Sequence, residues 1–76
     1  MNDDRRKRID EAMEHISAAR EILEPVRDEE QEAFDNLPEG LQGSERGQKM
    51  EETADALDTV VSDLEEMESS LEECKA

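Results

Sequence analysis

The sequence predicts an all-α fold, an antiparallel two-helix hairpin of coiled-coil type. Three observations predict it. Apolar residues recur every three or four positions in both halves of the chain. Helix-breaking residues gather in one short central stretch. Charged residues make up 43% of the chain and fill the positions between the apolar ones, which leaves no second broad apolar face. With 76 residues the chain is one domain, 1–76, and too short for a large core. Phe34 is its only aromatic residue.

The first helix is expected over about residues 3–36, with Asn2 or Asp3 as its cap. Ile9, Met13, Ile16, Ala19, Leu23, Val26, Ala33 and Leu37 form its apolar stripe, interrupted by Glu30. Pro25 lacks an N–H and its ring crowds the preceding turn, so a kink near Pro25 is expected, or else a break. A loop is expected at residues 37–43, where Pro38, Gly40 and Gly43 oppose helix; Leu37 and Leu41 should fold back over the end of the hairpin with Phe34. The second helix is expected over about 44–74, capped by Ser44. Its stripe is Met50, Ala54, Leu57, Val61, Leu64, Met67, Leu71 and Cys74, widened by Val60. Gly47 in its first turn is a mild weakness. Such stripes bury little, so two hairpins are expected to dimerise into a four-helix bundle.

Charge divides the chain. Residues 1–27 hold 7 acids and 6 bases, leaving 17 acids and 3 bases for residues 28–76, so nearly all of the net charge of −15 lies in the second part. A field of that sign repels nucleic acid and anionic membrane and attracts basic protein surfaces. Antiparallel helices would set Arg5, Arg6, Lys7 and Arg8 beside Glu65, Glu66, Glu68, Glu72 and Glu73, an expected electrostatic clamp. No apolar run approaches the ~20 residues of a membrane span. A single cysteine, Cys74, excludes an internal disulfide and suits a reducing compartment.

Catalytic and metal chemistry find no support. His15 is the only histidine, and the position three before it is Ala12, not the glutamate of a di-iron Glu-x-x-His motif. One His and one Cys, far apart, do not make a zinc site. The calcium-loop and phosphate-loop patterns are absent. No enzyme activity, cofactor or metal is therefore expected. Two binding modes remain. In one, the acidic face of the second helix, Glu51, Glu52, Asp55, Asp58, Asp63, Glu65, Glu66, Glu72 and Glu73, stands in for phosphates and occupies the nucleic-acid groove of a partner protein. In the other, the apolar stripe is the docking surface and the acid serves solubility.

The stretch Asp28 to Gln48, DEEQEAFDNLPEGLQGSERGQ, followed by an acidic helix, resembles a recurring type of small acidic helical-hairpin protein of phages and prophages. The resemblance covers a little over half the chain. Its specific part is Phe34–Gly47, where Phe34, Asn36, Leu37, Pro38, Leu41, Ser44 and Arg46 match. It implies a phage-like setting, the cytoplasm of a bacterial host cell, and an inhibitor of host defence such as an anti-CRISPR protein. The implied partner is a protein with a basic surface, a nucleic-acid-binding enzyme or defence complex, met without direct contact to nucleic acid or membrane. These remain implications of the resemblance.

Overall fold

The computed structural model describes residues 1–76 and is all-helical: α1 (Asp3–Asp35), α2 (Glu39–Gln42) and α3 (Glu45–Lys75), with no strand. The molecule is an elongated rod of 58 × 15 × 13 Å. A 33-residue helix such as α1 accounts for ~50 Å of that length at ~1.5 Å per residue. The long helices lie alongside each other in opposite senses. Arg20 meets Glu68, Arg27 meets Asp58, and Lys75 near the end of α3 meets Asp10 near the start of α1. No helix is long and apolar enough to cross a membrane.

Local chemistry sets the helix ends. The Asn2 side chain accepts from the Arg5 N–H at 2.8 Å and caps α1. Ser44 Oγ accepts from the Gly47 N–H at 3.2 Å and donates to the Leu41 carbonyl, so one hydroxyl closes α2 and opens α3. The expected loop therefore contains one helical turn. Pro38 starts that turn, where its missing N–H costs nothing. Gln42 Nε2 donates to the Leu37 carbonyl just past α1 and to the Phe34 carbonyl, which also accepts from the Leu37 N–H. Phe34 and Leu37 are half-buried, but Leu41 is exposed and does not join them.

α1 runs unbroken through Pro25, which excludes the alternative of a full break there. Pro25 is on the solvent side, and the Glu21 residue whose carbonyl loses its partner is also exposed and open to water.

The inward positions follow a three-four alternation in both long helices, with Ser17, Ala19, Glu24 and Thr53 beside them also half-buried. In α1 and just past it, the positions turned inward are Arg6, Ile9, Met13, Ile16, Arg20, Leu23, Arg27, Glu30, Phe34 and Leu37. In α3 they are Gly47, Met50, Ala54, Leu57, Val61, Leu64, Glu68, Leu71 and Lys75. Only Gly47, Ala54 and Val61 are fully buried; the rest are half-buried. This corrects the expected stripe at Val26, which is 41% exposed, and equally at Met67, 49% exposed, and at Ala33 and Cys74. The next residue along, Arg27, Glu68, Phe34 or Lys75, takes the inward place. Long charged side chains can do this because their aliphatic stems lie against the neighbouring helix while their heads reach water.

Gly47 is required by close approach. A Cβ there would lie 2.6 Å from the Leu41 carbonyl oxygen and 2.7 Å from the Gln42 carbonyl carbon, backbone atoms that cannot swing away. Gly40 has open space at the same point. Gly47→Ala is expected to destabilise the fold by ~1–3 kcal/mol through overpacking. Gly40→Ala is expected to be neutral or stabilising by up to ~1 kcal/mol. Urea unfolding followed by circular dichroism checks both, and equal effects at the two glycines would refute the close-packing argument.

Candidate functional site

The alternation of inward residues creates two flanks. On one side of the seam are the residues that follow Ile9, Ile16, Leu23, Glu30, Met50, Leu57, Leu64 and Leu71. They are Asp10, Ser17, Glu24 and Gln31 on α1, and Glu51, Asp58, Glu65 and Glu72 on α3. On the other side are the residues that precede Met13, Arg20, Arg27, Phe34, Ala54, Val61, Glu68 and Lys75. They are Ala12, Ala19, Val26 and Ala33 on α1, and Thr53, Val60, Met67 and Cys74 on α3. In an antiparallel pair like flanks adjoin, so the molecule has an acidic flank and an apolar flank on opposite sides.

The acidic flank is stitched by cations at its floor. Arg20 Nε donates to Glu68 Oε1 at 2.9 Å and Nη2 to Oε2 at 3.4 Å, while Nη1 donates to Glu24 Oε1 at 2.9 Å. The hydrogen bond to Glu68, then that to Glu24, raises the Arg20 pKa further above its already high ordinary value. Arg27 bridges Asp28 and Asp58, each at 3.1 Å, and its pKa is raised, chiefly by the bond to Asp28. Lys75 Nζ lies 2.6 Å from Asp10 and 3.5 Å from Glu72, and its pKa is raised, chiefly by the bond to Asp10. For a base held above its ordinary pKa, the stabilisation is complete at neutral pH and is lost as pH climbs through the raised value. Neutral pH therefore keeps all three clamps closed.

The expected clamp between Arg5–Arg8 and the carboxylates of α3 does not form. Four consecutive helical residues point in four directions, about 100° apart, so only one of them can face the seam. That one is Arg6, whose Nε donates to the Lys75 carbonyl at 3.1 Å and places positive charge at the negative end of α3. Arg6 and Arg8 pair with Asp3 and Asp4 on their own helix, and Arg5 and Lys7 make no ion pair.

All nine acidic residues proposed for partner binding are exposed. Asp58 and Glu72 are committed to the clamps; Glu51, Glu52, Asp55, Asp63, Glu65, Glu66 and Glu73 make no ion pair. Glu51, Asp55 and Glu65 lie on or beside the acidic flank; Glu52, Glu66 and Glu73, seven or fourteen residues apart, share one position on the outer face between the flanks, and Glu52 lines a groove with Lys49, Thr53, Ala56 and Val60. Asp63 sits toward the apolar flank and is separated from the others. The sequence reading missed a second row on α1, where Glu14, Glu21 and Asp28 extend Asp10 and Glu24. The signal that finds it is the inward placement of Arg20 and Arg27, which rotates α1 by one residue relative to a purely apolar stripe. His15 is exposed and Cys74 is an exposed free thiol.

Compared with protein-family models, curated proteins and solved structures, the chain matches none. What the molecule shows is a class: an elongated helical protein with opposed acidic and apolar flanks.

Arg20→Leu leaves Glu68 and Glu24 without their cation and is expected to lower the melting temperature. Arg20→Leu with Glu68→Leu together should recover it to wild type or above, since an apolar pair replaces a partly desolvated ionic one. Thermal unfolding at neutral pH reads both, and a double variant less stable than the single one would contradict this account.

Proposed function

We propose that the protein is a non-enzymatic acidic binding protein, a homodimer of two-helix hairpins that occupies a basic, nucleic-acid-binding surface of another protein. The observation that carries this reading is the row of unpaired carboxylates on and beside the acidic flank of a rigid helix. Glu51, Asp55, Glu65 and Glu66 make no ion pair in a chain where Arg6, Arg8, Arg20, Arg27 and Lys75 all do. Glu51 and Asp55 lie ~6 Å apart along the axis and Glu65 ~15 Å further on, with the Arg27-paired Asp58 between them. One strand of B-form DNA carries a phosphate every ~3.4 Å, so the helix offers a sparser version of the same linear charge. The α1 row across the seam supplies a second line. The resemblance of Phe34–Gly47 to phage and prophage proteins supports a bacterial cytoplasmic setting and a role as an inhibitor of host defence, of the anti-CRISPR kind.

The runner-up is a helical oligomerisation or docking module whose acid serves solubility, and the exposed apolar flank favours it. The two readings use opposite sides of the molecule and are compatible.

The test is capture from a bacterial lysate on immobilised protein. Nucleic-acid-binding proteins are expected to be retained, to be displaced by excess duplex DNA, and to be released steeply as salt rises. Glu51→Lys, Asp55→Lys, Glu65→Lys and Glu66→Lys combined should weaken capture at least ~10-fold with helicity unchanged. None of these four holds the helices together, so the variant isolates the acidic surface. Retention by this variant equal to wild type would sink the mimicry reading.

A further inference from the structure

The apolar flank has no partner within the chain. Ile22, 65% exposed, Val26, Val60 and Met67 are the large apolar side chains it leaves in water. Two shallow grooves open along it. One lies at the loop end, between Lys49, Thr53, Ala56 and Val60; the other lies at the open end, between Met1, Arg5, Ile9 and Ala12. The seam beside it buries fully only Gly47, Ala54 and Val61, which is little for a domain of this size.

We propose that this flank is a self-association face that takes a second copy of the chain, closing a four-helix bundle. The inference deepens the homodimer part of the function above by naming the face, and it is independent of what the acidic flank binds.

Three features select a second copy as the occupant. The first is charge. The exposed charges on this flank are Arg5, Arg8, Arg46 and Lys49, against Glu29, Asp63 and Glu52 at the groove beside Lys49. In a chain of net charge −15 it is the one side that is not negative, so two copies can meet here without bringing their acid together. The second is self-complementarity. The bases lie at the two ends of the flank, and acids lie on the outer faces at both ends, Glu32 on α1 and Glu73 on α3. Only two two-fold stackings bury the flank in both copies. With the hairpins pointing the same way, Arg8 meets the end of the partner's α3 and Lys49 meets the end of its α1. With the hairpins reversed, Arg8 meets the end of the partner's α1 and Lys49 the end of its α3. A base faces an acidic rim either way. The third is size. One long side of a 58 × 15 × 13 Å rod presents on the order of 800 Å², the area each partner contributes to a standard stable interface.

Sedimentation equilibrium of the 76-residue chain from low to high micromolar concentration tests this. Wild type is expected at twice the 8.7 kDa chain mass. Ile22→Glu with Val60→Glu should raise the dimer dissociation constant by ~100-fold or more. Since a monomer so exposed can lose its fold, a second variant carries the test at positions that support no packing. Arg8→Glu with Lys49→Glu should weaken the dimer at least ~10-fold with helicity retained, and adding Glu32→Lys with Glu73→Lys should restore it. A wild-type monomer at high concentration overturns both the homodimer and this face. A dimer that both the apolar and the charge variants leave intact overturns the face alone. Neither result decides whether the acidic flank binds a basic surface, which charge reversal of that flank in the lysate experiment reads separately.

Discussion

Two helices packed side by side can bury only one strip of each, and the rest of this molecule depends on how that strip is filled. The strip alternates strictly by three and four over the length of the rod, but it is not purely apolar. Arg20, Arg27 and Glu30 occupy inward positions of α1, and Glu68 and Lys75 do so in α3. Charged groups at such positions give up stability that leucine would provide and in return specify register. Arg20 is held by carboxylates of both helices at once. Sliding α3 by one turn would part it from Glu68, Arg27 from Asp58, and Lys75 from Asp10 together. The antiparallel register is thus fixed by ion pairs where the apolar contacts, largely Ile, Leu, Met and Val of similar shape, would tolerate several.

The all-helical architecture, the caps at Asn2 and Ser44 and the position of the turn were legible in the sequence because each rests on local chemistry. The rotation of each helix was not fully legible, and one physical cause explains the misplaced residues. An apolar stripe is traced by following apolar residues, and at Val26, Ala33, Met67 and Cys74 an exposed apolar residue stands directly before the inward one. At three of those four places the inward residue is charged, and at the fourth, Phe34, it is preceded by an alanine too small to bury much. Periodicity alone therefore stepped three where the helix steps four. The cue that separates the two readings is a candidate ion pair across the helices, Arg20 with Glu68 and Lys75 with Asp10, and it needs the partner helix to be seen. Gly47 was misread for a related reason: its value lies in the approach of the α2 carbonyls, which no property of the residue itself announces.

Correcting the rotation changes what the surface is. A stripe running through Val26, Met67 and Cys74 would leave one continuous acidic outer face and no apolar remainder. The observed seam instead pushes these residues to one side and gathers carboxylates of both helices on the other. Acid binding and apolar association then cease to be rival accounts of one surface. They are assigned to opposite flanks, and the cations that matter are divided accordingly. Arg20, Arg27 and Lys75 lie under the acidic flank and hold the helices together, while Arg5, Arg8, Arg46 and Lys49 border the apolar one.

That division has a consequence for binding strength. A second copy seated on the apolar flank leaves both acidic flanks facing outward, on opposite sides of one rigid body. A partner engaging a single flank would feel no benefit. A partner with two basic surfaces, or two partner molecules within one complex, would meet the second flank at a high effective concentration once the first had bound, which multiplies affinity with no new contact. On the proposed function, the short rows of single charges on one rod, sparser than DNA phosphates, would make a weak ligand taken alone. Two of them at a fixed separation would make a stronger one, so the proposed association face and acidic face would act in series: disrupting the first should weaken capture through the second without altering any carboxylate.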